Sequence, residues 1–403
     1  MKNRKFVLYS VFVLGCFLLV FSCFSPWTGG DATVTIALGN SENSRVLLPL
    51  IGGEPTETLS YEVIISRPGG TQKHSFKPGA PLTVKVVPGK CEITVRAMGD
   101  NVYAPAAGFP STILRALGEW SGNINAGNNT IPVTMYSATE VTNDTQLVEA
   151  LGVGSDTRKE IIILKGGSPL SLSQSITRPI EIRAERNVTI ASFGSSIFTI
   201  SFGGKLTLKG PLTLDGLGGA SLINIPGTNG ELYMYDGVIL TNANTTSGGG
   251  VMVNGGKFYM YGGTITGNNS SSGGNGGGVY VMGGGEFTMS GGIISDNTVT
   301  VNGGGVYVAN GTFTMQGNAE ISDNTAVTNG GGVYVTGASS SFIIAGGTIY
   351  GQGHALANTA SSGHALFVNG ATGPVVFGDG ITGIPGETTL GSGVWNDTIY
   401  GRP

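Results

Sequence analysis

From residue 248 onward the chain repeats one short pattern: apolar and small or polar residues alternate over three to five positions, and corners rich in glycine and asparagine separate the runs. In residues 303–329, GGGVYVANGTFTMQGNAEISDNTAVTN, the runs are GVYVA, TFTMQ and AEISD. Alternation of period two marks a strand with one buried face. It turns Val306, Val308, Phe313, Met315 and Ile321 inward and Tyr307 and Thr314 outward. Triple glycine combined with this period excludes a helical repeat. The GGGV unit starts at Gly248, Gly276, Gly303 and Gly330, in steps of 28, 27 and 27 residues, and GHALFV follows at Gly363 after 33. SLINI (221–225) and SIFTI (196–200) carry the register upstream in weaker form.

Three short strands and three corners in each repeat make one coil of a parallel β-helix. A leucine-rich repeat has similar length, but its Leu-x-x-Leu-x-Leu frame is missing. Stacking such coils predicts three apolar columns: Val251, Val279, Val306 and Val333; Phe258, Phe287, Phe313 and Phe342; and Ile265, Ile294, Ile321 and Ile349. Asn268, Asn297 and Asn324 each follow the column isoleucine by three residues, which predicts a ladder of side-chain amides bonded between coils. Counted from about residue 160 to 400, the stack should hold roughly nine coils and rise about 40 Å. NDTQLVEALG (143–152) predicts a short helix, capped by Asn143 or Asp144 and stopped by Gly152, with Leu147, Val148 and Leu151 covering the first coil.

The helix with TQLVEAL, leading into coils built on GGGVYV, TFTM and similar runs, resembles right-handed parallel β-helix repeat surface proteins. These include proteins of spirochaetes and, more distantly, chlamydial polymorphic outer-membrane proteins. The resemblance spans residues 143 to about 400 and implies an all-β fold in which a right-handed parallel β-helix carries surface display. Autotransporter-like members of that group end in a membrane barrel, whereas this sequence ends in IYGRP, so an N-terminal lipid is the expected anchor. The same fold also hosts pectate lyases and polygalacturonases.

Upstream, the alternating runs ATVTIAL (32–38), SYEVIIS (60–66), LTVKVV (82–87), CEITVRA (91–97) and NTIPVTM (129–135) predict an antiparallel β-sandwich of immunoglobulin-like or prealbumin-like type, with a hairpin at Pro88-Gly89. His74 reads as solvated loop and Cys91 as a small buried hydrophobe. At the start, Lys2, Arg4 and Lys5 precede an apolar run that ends in VFSC at Cys23, the pattern of a lipoprotein signal of the looser spirochaete type. VLGC at Cys16 is a rival site that leaves a shorter apolar run. The expected organisation is a signal peptide over 1–22, a tether over 23–30, the sandwich over 31–137, a linker and capping helix over 138–160 and the β-helix over 161–403.

Charge then narrows the function. Of 70 glycines, 44 lie from residue 221 onward, where nine acidic residues face only Lys257 and Arg402. So few cations leave no footprint for nucleic acid. Chemistry on the stack reduces to three candidates. Asp296 and Asp323 recur one coil apart, near the separation used by retaining glycosidases, although copying one surface position also aligns them. His354 and His364 lack a third ligand for a metal. The outward Tyr280, Tyr307 and Tyr334, flanked by Met252 and Phe367, form a column that could receive a sugar or a protein, or simply stabilise adjacent strands. Cys23 is the lipidation site. The expected function is a non-enzymatic, lipid-anchored protein of the outer membrane or cell surface, or facing the periplasm, that holds a membrane by its lipid and a glycan or cell-surface protein by its β-helix. It needs no cofactor and no metal. The alternative is a polysaccharide-degrading enzyme, pectate-lyase-like or a glycoside hydrolase.

Overall fold

The computed structural model describes residues 32–40, 50–51, 54–55, 60–76, 82–100, 112–152, 160–166, 170–369 without Phe193, Phe202, Ala220, Ser247 and Ser272, and 375–377. The leader with Cys16 and Cys23, and the sequence past 377, lie outside the described residues. Two compact units divide the rest: 32–100 with 117–135, and 136–377 with 112–116.

In the first unit the hydrogen-bonded order of strands is Leu82–Val86, Ala32–Asn40, the 127–135 part of Gly127–Val141, the 117–124 part of Thr112–Ile124, Gly89–Asp100, Ser60–Arg67 and Gly70–Phe76. Val63 and Ile65 face Val95 and Ile93 across an antiparallel pair, and Val34 faces Val84. All six are buried, so each strand sinks one side, as in a sandwich. Pro88-Gly89 makes no hairpin, because Leu82–Val86 pairs with Ala32–Asn40 while Gly89–Asp100 pairs with Ser60–Arg67. Proline has no N–H for a ladder, and here it turns the chain toward a different partner. The hairpin lies instead at Pro68-Gly69, and His74 stands in its second strand opposite Val63 rather than in a loop. That strand, GTQKHSF, is polar on both sides and so carries no hydrophobic alternation. Cys91 is buried, and burial pushes its thiol pKa up.

The second unit opens with a helix, Asp144–Leu151. The Asn143 side chain accepts from the Gln146 N–H at 3.0 Å, while Gln146 Oε1 accepts from the Thr142 N–H at 2.8 Å. These bonds satisfy donors that a helix start leaves open. Leu147, Ala150 and Leu151 are buried in the same core as Val141, Ile162 and Leu164, but Val148 is 43% exposed. One residue past Leu147 is a turn of about 100°, which carries Val148 off the inward stripe and leaves its place to Ala150. Arg178 donates to the carbonyls of Ala150 and Leu151 at 3.3 and 3.2 Å and closes the helix end.

Beyond the helix the chain winds into a β-solenoid of three long parallel sheets and, where three strands per coil were expected, a short fourth one built from Asn244–Thr245, Asn269–Ser270, Thr298–Val299 and Thr325–Ala326. The Phe sheet runs from Ile161–Leu164 to Val375–Phe377, the Ile sheet from Leu170–Ser171 to Thr348–Ile349, and the Val sheet from Gln174–Ile176 to Leu366–Asn369. The Ile and Val sheets each hold eight strands, hence about seven coil steps where roughly nine coils were expected over 160–400. The remainder of that span lies outside the described residues. Every predicted column is in register: Val251 to Val279, Val306 and Val333, Phe258 to Phe287, Phe313 and Phe342, and Ile265 to Ile294, Ile321 and Ile349. The phenylalanine rings stack with centroids 4.7, 4.8 and 4.9 Å apart, within 12° of parallel.

The glycine triplets follow from this close stacking. Gly276, Gly303 and Gly330 have φ of 69, 71 and 65°, a left-handed corner that costs a side-chain-bearing residue roughly 1–2 kcal/mol. At the middle positions Gly277 and Gly304, a Cβ would stand 2.5 Å from the next coil's carbonyl oxygen. The first glycine is there for its φ and the second for its missing side chain.

Truncating one rung of the phenylalanine ladder tests the packing. Phe313→Ala should cost about 3–5 kcal/mol in urea unfolding, since rings on both sides hold the cavity open, whereas Val148→Ala should change stability by less than about 0.5 kcal/mol.

Candidate functional site

At the corner after the Ile sheet the predicted amide ladder is complete. Asn268 donates from Nδ2 to Asn297 Oδ1 at 3.0 Å, Asn297 to Asn324 Oδ1 at 2.9 Å, and Asn324 to Asn358 Oδ1 at 2.8 Å. Each Oδ1 also accepts the backbone N–H of the preceding rung, and each Nδ2 also donates to a carbonyl of the preceding coil, such as Ile265 O or Ile294 O. All these side chains are buried, so full pairing is what keeps them from destabilising the core. Asn358 was missed because it follows Ile349 by nine residues instead of three, an insertion that hides the repeat. A second, shallower ladder at Asn275, Asn302 and Asn329 precedes the glycine triplets, with Asn329 donating to Asn302 Oδ1 at 3.0 Å.

Asp296 and Asp323 stand directly before ladder asparagines, in the place that Asn242 and Gly267 take in earlier coils. The four residues have φ of 56, 53, 58 and 66°. Only glycine, asparagine and aspartate enter that region readily, so backbone geometry selects this set and aligns the two acids. The Asp323 carboxyl pKa is raised by burial first, then by Asp296. The two histidines serve separate turns. His354 stacks on Tyr350 at 4.3 Å and accepts the Leu356 N–H at Nδ1, while His364 Nδ1 accepts the Ala360 N–H. Among the described residues no group of three or more His, Cys, Asp or Glu is placed to hold a metal.

The tyrosine column on the Val sheet is partly closed. Tyr307 and Tyr334 stack at 5.1 Å and 9°, and Tyr334 stacks on Phe367 at 5.5 Å and 10°. Rings stacked along the coil axis spend their faces on one another and show only edges outward. Tyr334 is 5% exposed and its hydroxyl accepts from Asn369, so it offers no surface to a ligand, contrary to the expected three-residue face. Burial, helped by the flanking tyrosines, pushes the Tyr307 phenol pKa up to about 12. Tyr280 meets Tyr307 edge-on at 83°.

The outer face of the Phe sheet carries a denser group that the single-column reading passed over. Tyr233 stacks on Tyr259 at 4.9 Å and Tyr235 on Tyr261 at 5.1 Å. Beside them runs a column of alternating charge, Lys205, Glu231, Lys257 and Glu286, in which Lys257 and Glu286 approach to 3.0 Å. The signal was present in sequence as ELYMYDG and KFYMYGG, two tyrosines two residues apart repeated after 26.

A carboxyl pKa raised in the folded state means that folding favours the protonated form. Its stabilisation is therefore full below the unfolded carboxylate range and lost as pH rises through the folded value. Asp323→Asn keeps the left-handed corner without the charge and should be at least as stable as wild type at pH 7 with a flatter pH profile, while Asp323→Ala should lose roughly 1–2 kcal/mol, both read by thermal melts across pH.

Residues 219–371 match the family model described as right handed beta helix region. No curated protein and no solved structure matches the chain. With its stacked parallel sheets, the C-terminal unit is a right-handed β-helix repeat.

Proposed function

We propose that this is a non-enzymatic surface protein, anchored by lipid at Cys23, whose β-helix displays a fixed outer face for adhesion to carbohydrate or protein. The observation that carries the reading is the rigid outer face of the Phe sheet, where rings and paired charges are held in register by the coils beneath them. Display suits such a scaffold, because side chains on packed strands are placed more firmly than those on loops. The leader supplies the anchor: a basic start, an apolar run and a cysteine after a small residue. The partners are a membrane, through the acyl chains, and a glycan or cell-surface protein.

A second reading, a polysaccharide-degrading enzyme, draws on the raised carboxyl pKa of Asp323 beside Asp296. A raised acid next to a second carboxylate is the pairing that glycoside hydrolysis uses. The left-handed corner accounts for the same two aspartates without catalysis.

Metabolic labelling with an alkyne fatty acid should mark the wild-type chain and Cys16→Ala but not Cys23→Ala. Protease added to intact cells should degrade the chain while a periplasmic control survives; a protected chain overturns display at the cell surface. Release of reducing sugar or unsaturated uronide from a polysaccharide panel should stay at background. Turnover that disappears in Asp296→Ala or Asp323→Ala would decide for the enzyme.

A further inference from the structure

On the outer face of the Phe sheet the two tyrosine pairs are closed on one side and open on the other. Toward the preceding coil, Lys205 Nζ lies 4.1 Å from the centre of the Tyr233 ring and Lys209 Nζ lies 5.6 Å from that of Tyr235. The other faces of Tyr233 and Tyr235 are taken by Tyr259 and Tyr261. Toward the following coil the register sets Thr288 beside Tyr259, and Ser290, one step past the Met260–Met289 pair, beside Tyr261. Threonine and serine are too short to cover an aromatic ring. Two ring faces about 7 Å apart on one strand therefore look over a step whose floor carries hydroxyls and the Gln316 amide, which donates to Ser290 Oγ at 2.9 Å. Tyr261 is 45% exposed.

We propose that this ledge binds a neutral pyranose chain. Aromatic faces take the C–H face of a sugar ring through dispersion and the ring quadrupole, while the floor's hydroxyls, the Gln316 amide and the Glu286 carboxylate meet the sugar hydroxyls. Charge selects a neutral chain over a uronate or a sulfated one. Lys257, next to the ledge, is held by Glu286 at 3.0 Å, and Lys209, on the closed side, by Glu181 at 2.9 Å. With both lysines paired, no uncompensated cation among the described residues faces the ledge to hold an anionic sugar. The Val-sheet column lacks this arrangement, since Tyr307 and Tyr334 have neighbours on both faces. The ledge deepens the display reading, on which its use at a cell surface rests, while binding itself is a property of the purified chain.

The test is calorimetric titration of the full chain in detergent with cellohexaose, mannohexaose and chitohexaose, and with oligogalacturonate as the charged comparison. Wild type should bind at least one neutral oligosaccharide and not the uronate. Tyr259→Ala/Tyr261→Ala should weaken that binding about tenfold or more. Thr288→Lys/Ser290→Lys leaves the tyrosines in place and covers their open faces as Lys205 and Lys209 cover the closed ones; it should abolish binding with an unchanged melting temperature. Tyr280→Ser should bind as wild type does. Failure of wild type to bind any neutral probe, preference for the uronate, or full affinity in the lysine variant overturns the ledge. Loss of binding in Tyr280→Ser alone moves the site to the Val sheet and leaves the display reading standing, and a protease-protected chain that still binds does the reverse.

Discussion

Backbone hydrogen bonding between parallel strands in register holds one coil of this protein at a fixed height above the next. The repeat, about 4.8 Å, is close to the contact distance of stacked rings and short enough for one side-chain amide to reach another. Like residues therefore stabilise one another when they are apolar, aromatic or amides, and repel when they carry the same charge. Three columns follow that rule. Phenylalanine stacks on phenylalanine and asparagine bonds to asparagine, while the charged column alternates through Lys205, Glu231, Lys257 and Glu286.

The same spacing governs what the surface can do. Within an unbroken aromatic ladder the ring faces are used up by neighbours, so a face is left uncovered only where a ladder stops. Tyr334, between Tyr307 and Phe367, shows the first situation, and Tyr259 and Tyr261, followed by Thr288 and Ser290, show the second. Asp296 and Asp323 repeat because a left-handed corner admits few residue types.

Much of the solenoid was legible in the sequence because its period is short and its alternation strict. The three apolar columns and the asparagine ladder could be read from spacing alone, and the capping helix from Asn143 and Gly152. Legibility failed where spacing or polarity broke the pattern. Asn358 hides behind an insertion, and the strand Gly70–Phe76 buries too little to alternate. Pro88-Gly89 reads as a hairpin locally, yet its two strands pair with different partners, which only long-range register decides. Val148 looked inward because it is apolar, although its angle on the helix points it to solvent. The candidate site was the least legible part. A tyrosine column is visible in sequence, but the covering of ring faces depends on the residue one coil further on and on the tilt of each ring.

Stacking in register is tested most directly by pulsed electron–electron resonance in a Cys16→Ser/Cys23→Ser/Cys91→Ser background, with spin labels on the outward column that contains Thr207, Tyr233, Tyr259, Thr288, Thr314 and Ile343. Labels at positions 207 and 314, four coils apart, should lie about 19 Å from each other, and labels at 207 and 343 about 24 Å, one coil spacing more. Distances that fail to grow by one spacing per coil, or that fall as for strands folded back in hairpins, would contradict the account.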